Sequence, residues 1–137
     1  MLNELLKLAE RIGVTILFLN NFYGGGCYLP EYDVIHIQEN LPYFKKIYVL
    51  AHELSHAINH KDYFSQYNSS FVGHSKMEFE ADLDTINFLV EHIEDLESFE
   101  PEQINFLRFM DQYEIDYSFE PVVKAALSDY IYHTKAV

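Results

Sequence analysis

His52-Glu53-Leu54-Ser55-His56 sets two imidazoles four residues apart, with a carboxylate beside the first. On a helix, residues four apart lie on one face, one turn above each other, so both rings can turn toward a single metal ion. Glu53 sits one position round from that face. It can reach a water at the ion without binding the ion itself. Two nitrogen ligands and a general base on one rigid helix are the parts that metal-dependent amide hydrolysis needs. The surrounding residues predict such a helix. Ile47, Leu50, Ala51, Leu54, Ala57 and Ile58 form an apolar stripe, and Asn40-Leu41-Pro42 marks its start. Burying two histidines and a glutamate unpaired in that stripe is costly, which makes a plain solvated face the poorer reading.

A catalytic zinc, one per chain, takes three protein ligands and leaves one position for water. A third histidine six residues after the second is ruled out, since that position is Asp62. Asp62 itself and His60, one turn beyond His56, are rivals. Glu80, in Met77-Glu78-Phe79-Glu80-Ala81-Asp82-Leu83-Asp84, is the preferred third ligand, with Glu78 as its alternative. The small Ala81 lets two helices approach closely there. Asp84, one turn after Glu80, and Asp82 are candidates to hold a ligand imidazole by its other N–H. His74, Tyr63, Tyr67 and Tyr28 are candidate donors to the developing oxyanion.

Several elements must position these groups. Residues 2–12 carry leucines at helical spacing and end at Gly13. Val14–Leu19, Cys27–Leu29 and Asp33–Ile37 read as short strands, with Gly24-Gly25-Gly26 forcing a turn between the first two. Lys61–Gly73 reads as a loop. Ser75-Lys76-Met77-Glu78 resembles a capping box and opens a helix to about Glu94. Pro101 and Pro121 mark two further helix starts. The fold class expected is α+β: a small, mostly antiparallel sheet of about three strands on the His-Glu-x-x-His helix, with a helical tail. One domain, 1–137, accounts for the length, with a catalytic core over 1–96 and the tail over 97–137.

Composition narrows the function class. Nine basic side chains against twenty-two acidic ones give a formal charge of −13, which repels phosphate backbones and argues against direct nucleic-acid binding. A single cysteine, Cys27, excludes an intrachain disulfide and a thiolate zinc cluster. It is expected to be a packing residue, with a redox-sensing or metal-blocking thiol as the other reading. The first residues lack a basic region followed by an apolar run, and no stretch approaches membrane-span length, so a cytoplasmic protein is expected.

The order of these features resembles the ImmA/IrrE zinc metallopeptidases. Ala51-His52-Glu53-Leu54-Ser55-His56 and Glu78-Phe79-Glu80-Ala81-Asp82 carry the resemblance, which spans roughly residues 1–96. The resemblance implies zinc held by His52, His56 and Glu80, with Glu53 as catalytic base. It also implies cleavage of a helix-turn-helix repressor of a phage or mobile element as the reaction. The chain departs from the family in carrying Asp84-Thr85 where a Phe-Ala pair is usual. The alternative from another class is a binding module that keeps the fold and grips a regulator without cutting it. In the tail, Phe106, Phe109, Tyr113 and Phe119 serve either as core or as partner contacts.

Overall fold

The computed structural model describes residues 1–20, 24–93 and 105–135, and its fold class is α+β. Contacts cluster in two units, Met1–Thr85 and Ile86–Val137.

In the first unit, α1 (Leu2–Ile12) buries Leu5 and Ala9 and stops at Gly13. Gly13 has φ +80, and its N–H reaches the carbonyls of Ala9 and Glu10, a left-handed cap that glycine adopts without strain. Three strands follow: β1 (Thr15–Leu19), β2 (Gly26–Leu29) and β3 (Val34–Gln38). Their order is β1-β3-β2. The expected antiparallel pairing holds for β2 on β3, with Tyr28 opposite Ile35, whereas β1 joins β3 in parallel, with Ile16 opposite Ile35. The sheet is therefore mixed, because β2 lies on the far side of β3 from β1. Short strands with several apolar residues on both faces do not disclose such an order from their own pattern.

α2 (Tyr43–Asn59) starts after Pro42 and buries Ile47, Leu50, Ala51 and Leu54. The strand β2 comes very close to it. A Cβ on Gly26 would lie 2.6 Å from Val49 Cγ1 and 3.1 Å from the His36 carbonyl oxygen. Gly26→Ala is expected to push β2 off α2 and to destabilise the protein by about 1–3 kcal/mol. Urea unfolding checks this, and an unchanged midpoint would refute the close approach.

The segment expected as a loop is largely helical: a 3₁₀ turn at Lys61–Tyr63, then α3 (Phe64–Asn68). α4 (Phe71–Glu91) starts one turn earlier than the Ser75 capping signal suggested. Exposed aromatic residues hide the pattern here, since Tyr63 and Phe71 are both exposed while sitting in helical turns. Met77 and Ala81 are fully buried on α4.

The second unit contains α5 (Phe106–Tyr113), a 3₁₀ turn at Tyr117–Phe119 and α6 (Glu120–Lys135). Asn105 caps α5 by accepting from the Leu107 N–H at 2.9 Å. Pro121 lies in the first turn of α6, as expected, and the expected start at Pro101 falls outside the described residues. Phe109, Tyr113, Val123 and Leu127 are buried, so the first two are core residues. No described helix is long and apolar enough to cross a membrane.

Candidate metal centre

Two helices build the site. α2 carries Tyr48, His52 and His56 in a row at four-residue spacing, and His60 continues the row at the helix cap. α4 meets it with two rows of its own, Glu78 with Asp82 and Glu80 with Asp84. Within each, higher α4 numbers face lower α2 numbers.

The first row engages the imidazoles of the His-Glu-x-x-His segment. Glu78 Oε2 lies 2.8 Å from His52 Nε2, and Glu78 Oε1 lies 3.0 Å from His56 Nε2. Asp82 Oδ1 accepts from the Tyr48 hydroxyl at 2.9 Å and from His52 Nδ1 at 2.8 Å. Asp82 thus holds a ligand-type imidazole by its other nitrogen.

The second row engages the flank. Asp84 Oδ2 accepts from Ser55 Oγ at 2.9 Å and from Asn59 Nδ2 at 2.8 Å. Glu80 Oε2 lies 2.8 Å from His60 Nε2. Two expectations are corrected by this arrangement. Glu80 is not the carboxylate beside His52 and His56; Glu78 is. Asp84 holds a serine and an asparagine, not an imidazole. The physical reason is helical phase. Residues 78 and 80 point about 200° apart round α4, so only one of them can face a given row of α2. Asp62 lies exposed in the 3₁₀ turn after α2.

His52 Nε2, His56 Nε2 and the Glu78 carboxylate converge within 4.8 Å of one another. The two nitrogens are themselves 3.2 Å apart. Asp82, an acceptor when ionised, accepts from the His52 Nδ1–H, so Nε2 is the nitrogen turned toward the centre. Two imidazole nitrogens and a carboxylate packed this closely need protons or a cation among them. The donor set of two imidazoles and one carboxylate suits zinc. The local field agrees. Burial opposes a charge on His52, but hydrogen bonds to Asp82 and Glu78 outweigh it and raise its pKa to about 10. Hydrogen bonds from His52 and His56 hold Glu78 well below the usual carboxylate range. The attraction that holds protons here is of the kind that would hold a divalent cation.

The centre opens on a cleft of about 630 Å³. One wall is β2, through Cys27, Tyr28 and Leu29, and Glu53, His56, His74 and Glu78 complete the part that matters here. Glu53 lies outside the convergent trio. Burial raises its pKa, while His52, His56 and a hydrogen bond from the Tyr28 backbone pull it down. His74 Nδ1 lies 2.7 Å from Asn68 Oδ1. Among the tyrosines weighed as oxyanion donors, Tyr28 donates its hydroxyl to Asp33 at 2.9 Å, and Tyr67 packs edge-on against His60. Burial and then the charge of Glu53 push the Cys27 thiol up, which makes it a poor nucleophile.

The residues that sequence reasoning passed over are Tyr48, Ser55 and Asn59. Tyr48 stands four residues before His52, and Ser55 stands four before Asn59, and that spacing was the available signal.

The peptidase-family profile described as the IrrE N-terminal-like domain matches residues 9–119. No curated protein matches the chain.

Proposed function

The chain belongs to the peptidase family of the IrrE N-terminal-like domain, and on that premise we propose that it is a zinc-dependent endopeptidase. Its proposed substrate is a helix-turn-helix transcriptional repressor of a phage or mobile element, cut at one or a few sites. The observation that supports this reading best is the convergence of His52 Nε2, His56 Nε2 and Glu78 beside an open cleft. These three are the proposed zinc ligands, and Glu53 is the proposed base.

Zinc, when bound, supplies a Lewis acid for the scissile carbonyl and makes a water more acidic. The chain's own residues do the rest. Glu53, half-buried at the cleft wall, accepts the proton of the attacking water and returns it to the departing amide nitrogen. The Tyr28 backbone hydrogen bond keeps the Glu53 carboxylate aimed during both transfers. Asp82 orients His52. β2, an edge of the sheet beside the cleft, offers its backbone to an extended substrate segment. His74, on the cleft wall and braced by Asn68, is the proposed polar contact for the carbonyl oxygen.

The acidic charge of −13 supports action on a protein and not on DNA directly. A basic DNA-binding regulator would be drawn to this surface, which speeds encounter without setting specificity. The test is incubation of the zinc-loaded chain with helix-turn-helix repressors of phages and mobile elements from its host. The expected result is one or a few fragments, with none after zinc chelation. A regulator that stays whole yet loses DNA binding would replace cleavage with capture by a binding module.

A further inference from the structure

His60 and Glu80 stand outside the convergent trio, yet both are held beside it. His60 is 1% exposed, and both its ring nitrogens are engaged. Nδ1 lies 3.0 Å from His56 Nδ1, and Nε2 lies 2.8 Å from Glu80 Oε2. Tyr67 packs edge-on against the ring at a centroid distance of 5.4 Å.

A hydrogen bond between two imidazole nitrogens holds one proton, and either ring can be the donor. Glu80 selects the donor. An ionised carboxylate only accepts, so His60 must present N–H at Nε2. A neutral imidazole carries a single N–H, so His60 Nδ1 is then a lone pair and accepts. His56 Nδ1 must donate to it. With a cation in place of the protons that His52 and His56 donate to Glu78, that leaves the lone pair of His56 on Nε2, the atom 3.0 Å from Glu78 and 3.2 Å from His52 Nε2. The opposite arrangement would point an N–H of His56 into the centre and remove it as a ligand.

We propose that Glu80 and His60 are positioning residues that set the tautomer of His56 and so hold its Nε2 ready for the metal. Each ligand imidazole then has its own carboxylate on the far side: Asp82 acts directly on His52, and Glu80 acts on His56 through His60. The inference rests on the metal-centre reading above and adds two residues that do not touch the ion.

The test measures zinc affinity by competition with a chromophoric chelator, with melting of the metal-free protein as the fold control. His60→Phe keeps a ring of similar size but cannot accept from His56, and zinc affinity is expected to fall on the order of 10–100-fold. Glu80→Leu is expected to fall in the same direction. Glu80→Gln, whose amide oxygen still accepts from His60 Nε2, recovers most of the loss, which a merely space-filling role would not produce. Long-range proton–nitrogen NMR of the zinc-loaded protein should show N–H at Nδ1 of His56 and at Nε2 of His60. If His60→Phe does not fold, the two variants at the partly exposed Glu80 decide. Wild-type zinc binding that is matched by His60→Phe and Glu80→Leu overturns the relay alone. So does a His60 ring protonated at Nδ1 instead of Nε2. A wild-type protein that takes up no zinc overturns the relay together with the peptidase reading.

Discussion

Glu78→Gln is expected to weaken zinc binding by more than about 100-fold, while Glu80→Gln leaves most of it. A residue that only orients a ligand is worth on the order of 10–100-fold, and a direct ligand should exceed that range. Glu78 reaches both imidazoles, at 2.8 Å and 3.0 Å, with its two oxygens. An amide there removes the negative charge and turns one of the two atoms into an N–H donor facing lone pairs. At Glu80 the same change keeps an acceptor within reach of His60 Nε2. Chelator competition on the two variants, with elemental analysis of the purified proteins, measures the difference. Equal losses would mean that the Glu78 row does not face the ion.

The His-Glu-x-x-His segment was legible because its information is local. Spacing along one helix places His52 and His56, and no other element has to be known. The third carboxylate depends on which face one helix turns toward another. Met77, Ala81 and Ile86 are buried, whereas Phe79 is exposed by about half. An apolar residue at 79 blurs the stripe from which that face would be read, and both acidic rows, 78/82 and 80/84, then fit the spacing equally well. The structure also shows both rows in use. Asp84 holds Ser55 and Asn59, so its distance from the imidazoles reflects a structural task and not a solvated face.

The sheet and the segment after α2 were legible to different degrees for similar reasons. The three strands are present near their expected positions, because short apolar runs between turn residues identify strands locally. That β1 pairs with β3 and not with β2 is a long-range fact. The helical turns at 61–68 carry Phe64 and Tyr67, whose rings serve the site more than a continuous core. Phe64 packs edge-on against both Tyr28 and His56, and Tyr67 does so against His60. Residues placed to wall in an imidazole row do not follow the stripe of an ordinary amphipathic helix.

Glu53→Gln is expected to leave zinc stoichiometry, zinc affinity and melting temperature close to wild type and to lower kcat by roughly 10²–10⁴-fold. That corresponds to about 3–5 kcal/mol of transition-state stabilisation. Glu53 lies outside the trio of His52, His56 and Glu78, so its loss removes no metal ligand. Gln retains the shape of the side chain and can still accept the Tyr28 backbone hydrogen bond that Glu53 receives. It has no basic oxygen to take a proton from water. Burial makes the substitution tolerable for the fold, since the neutral amide avoids the desolvation that raises the carboxyl pKa of Glu53. A loss confined to kcat, with KM little changed, marks an interaction made in the transition state. The measurement is single-turnover cleavage of the proposed repressor substrate by both proteins at matched zinc loading. A Glu53→Gln protein that binds zinc normally and cuts at the wild-type rate would remove Glu53 from the chemistry. One that inactivates the regulator without cutting it would show that grip, not hydrolysis, carries the function.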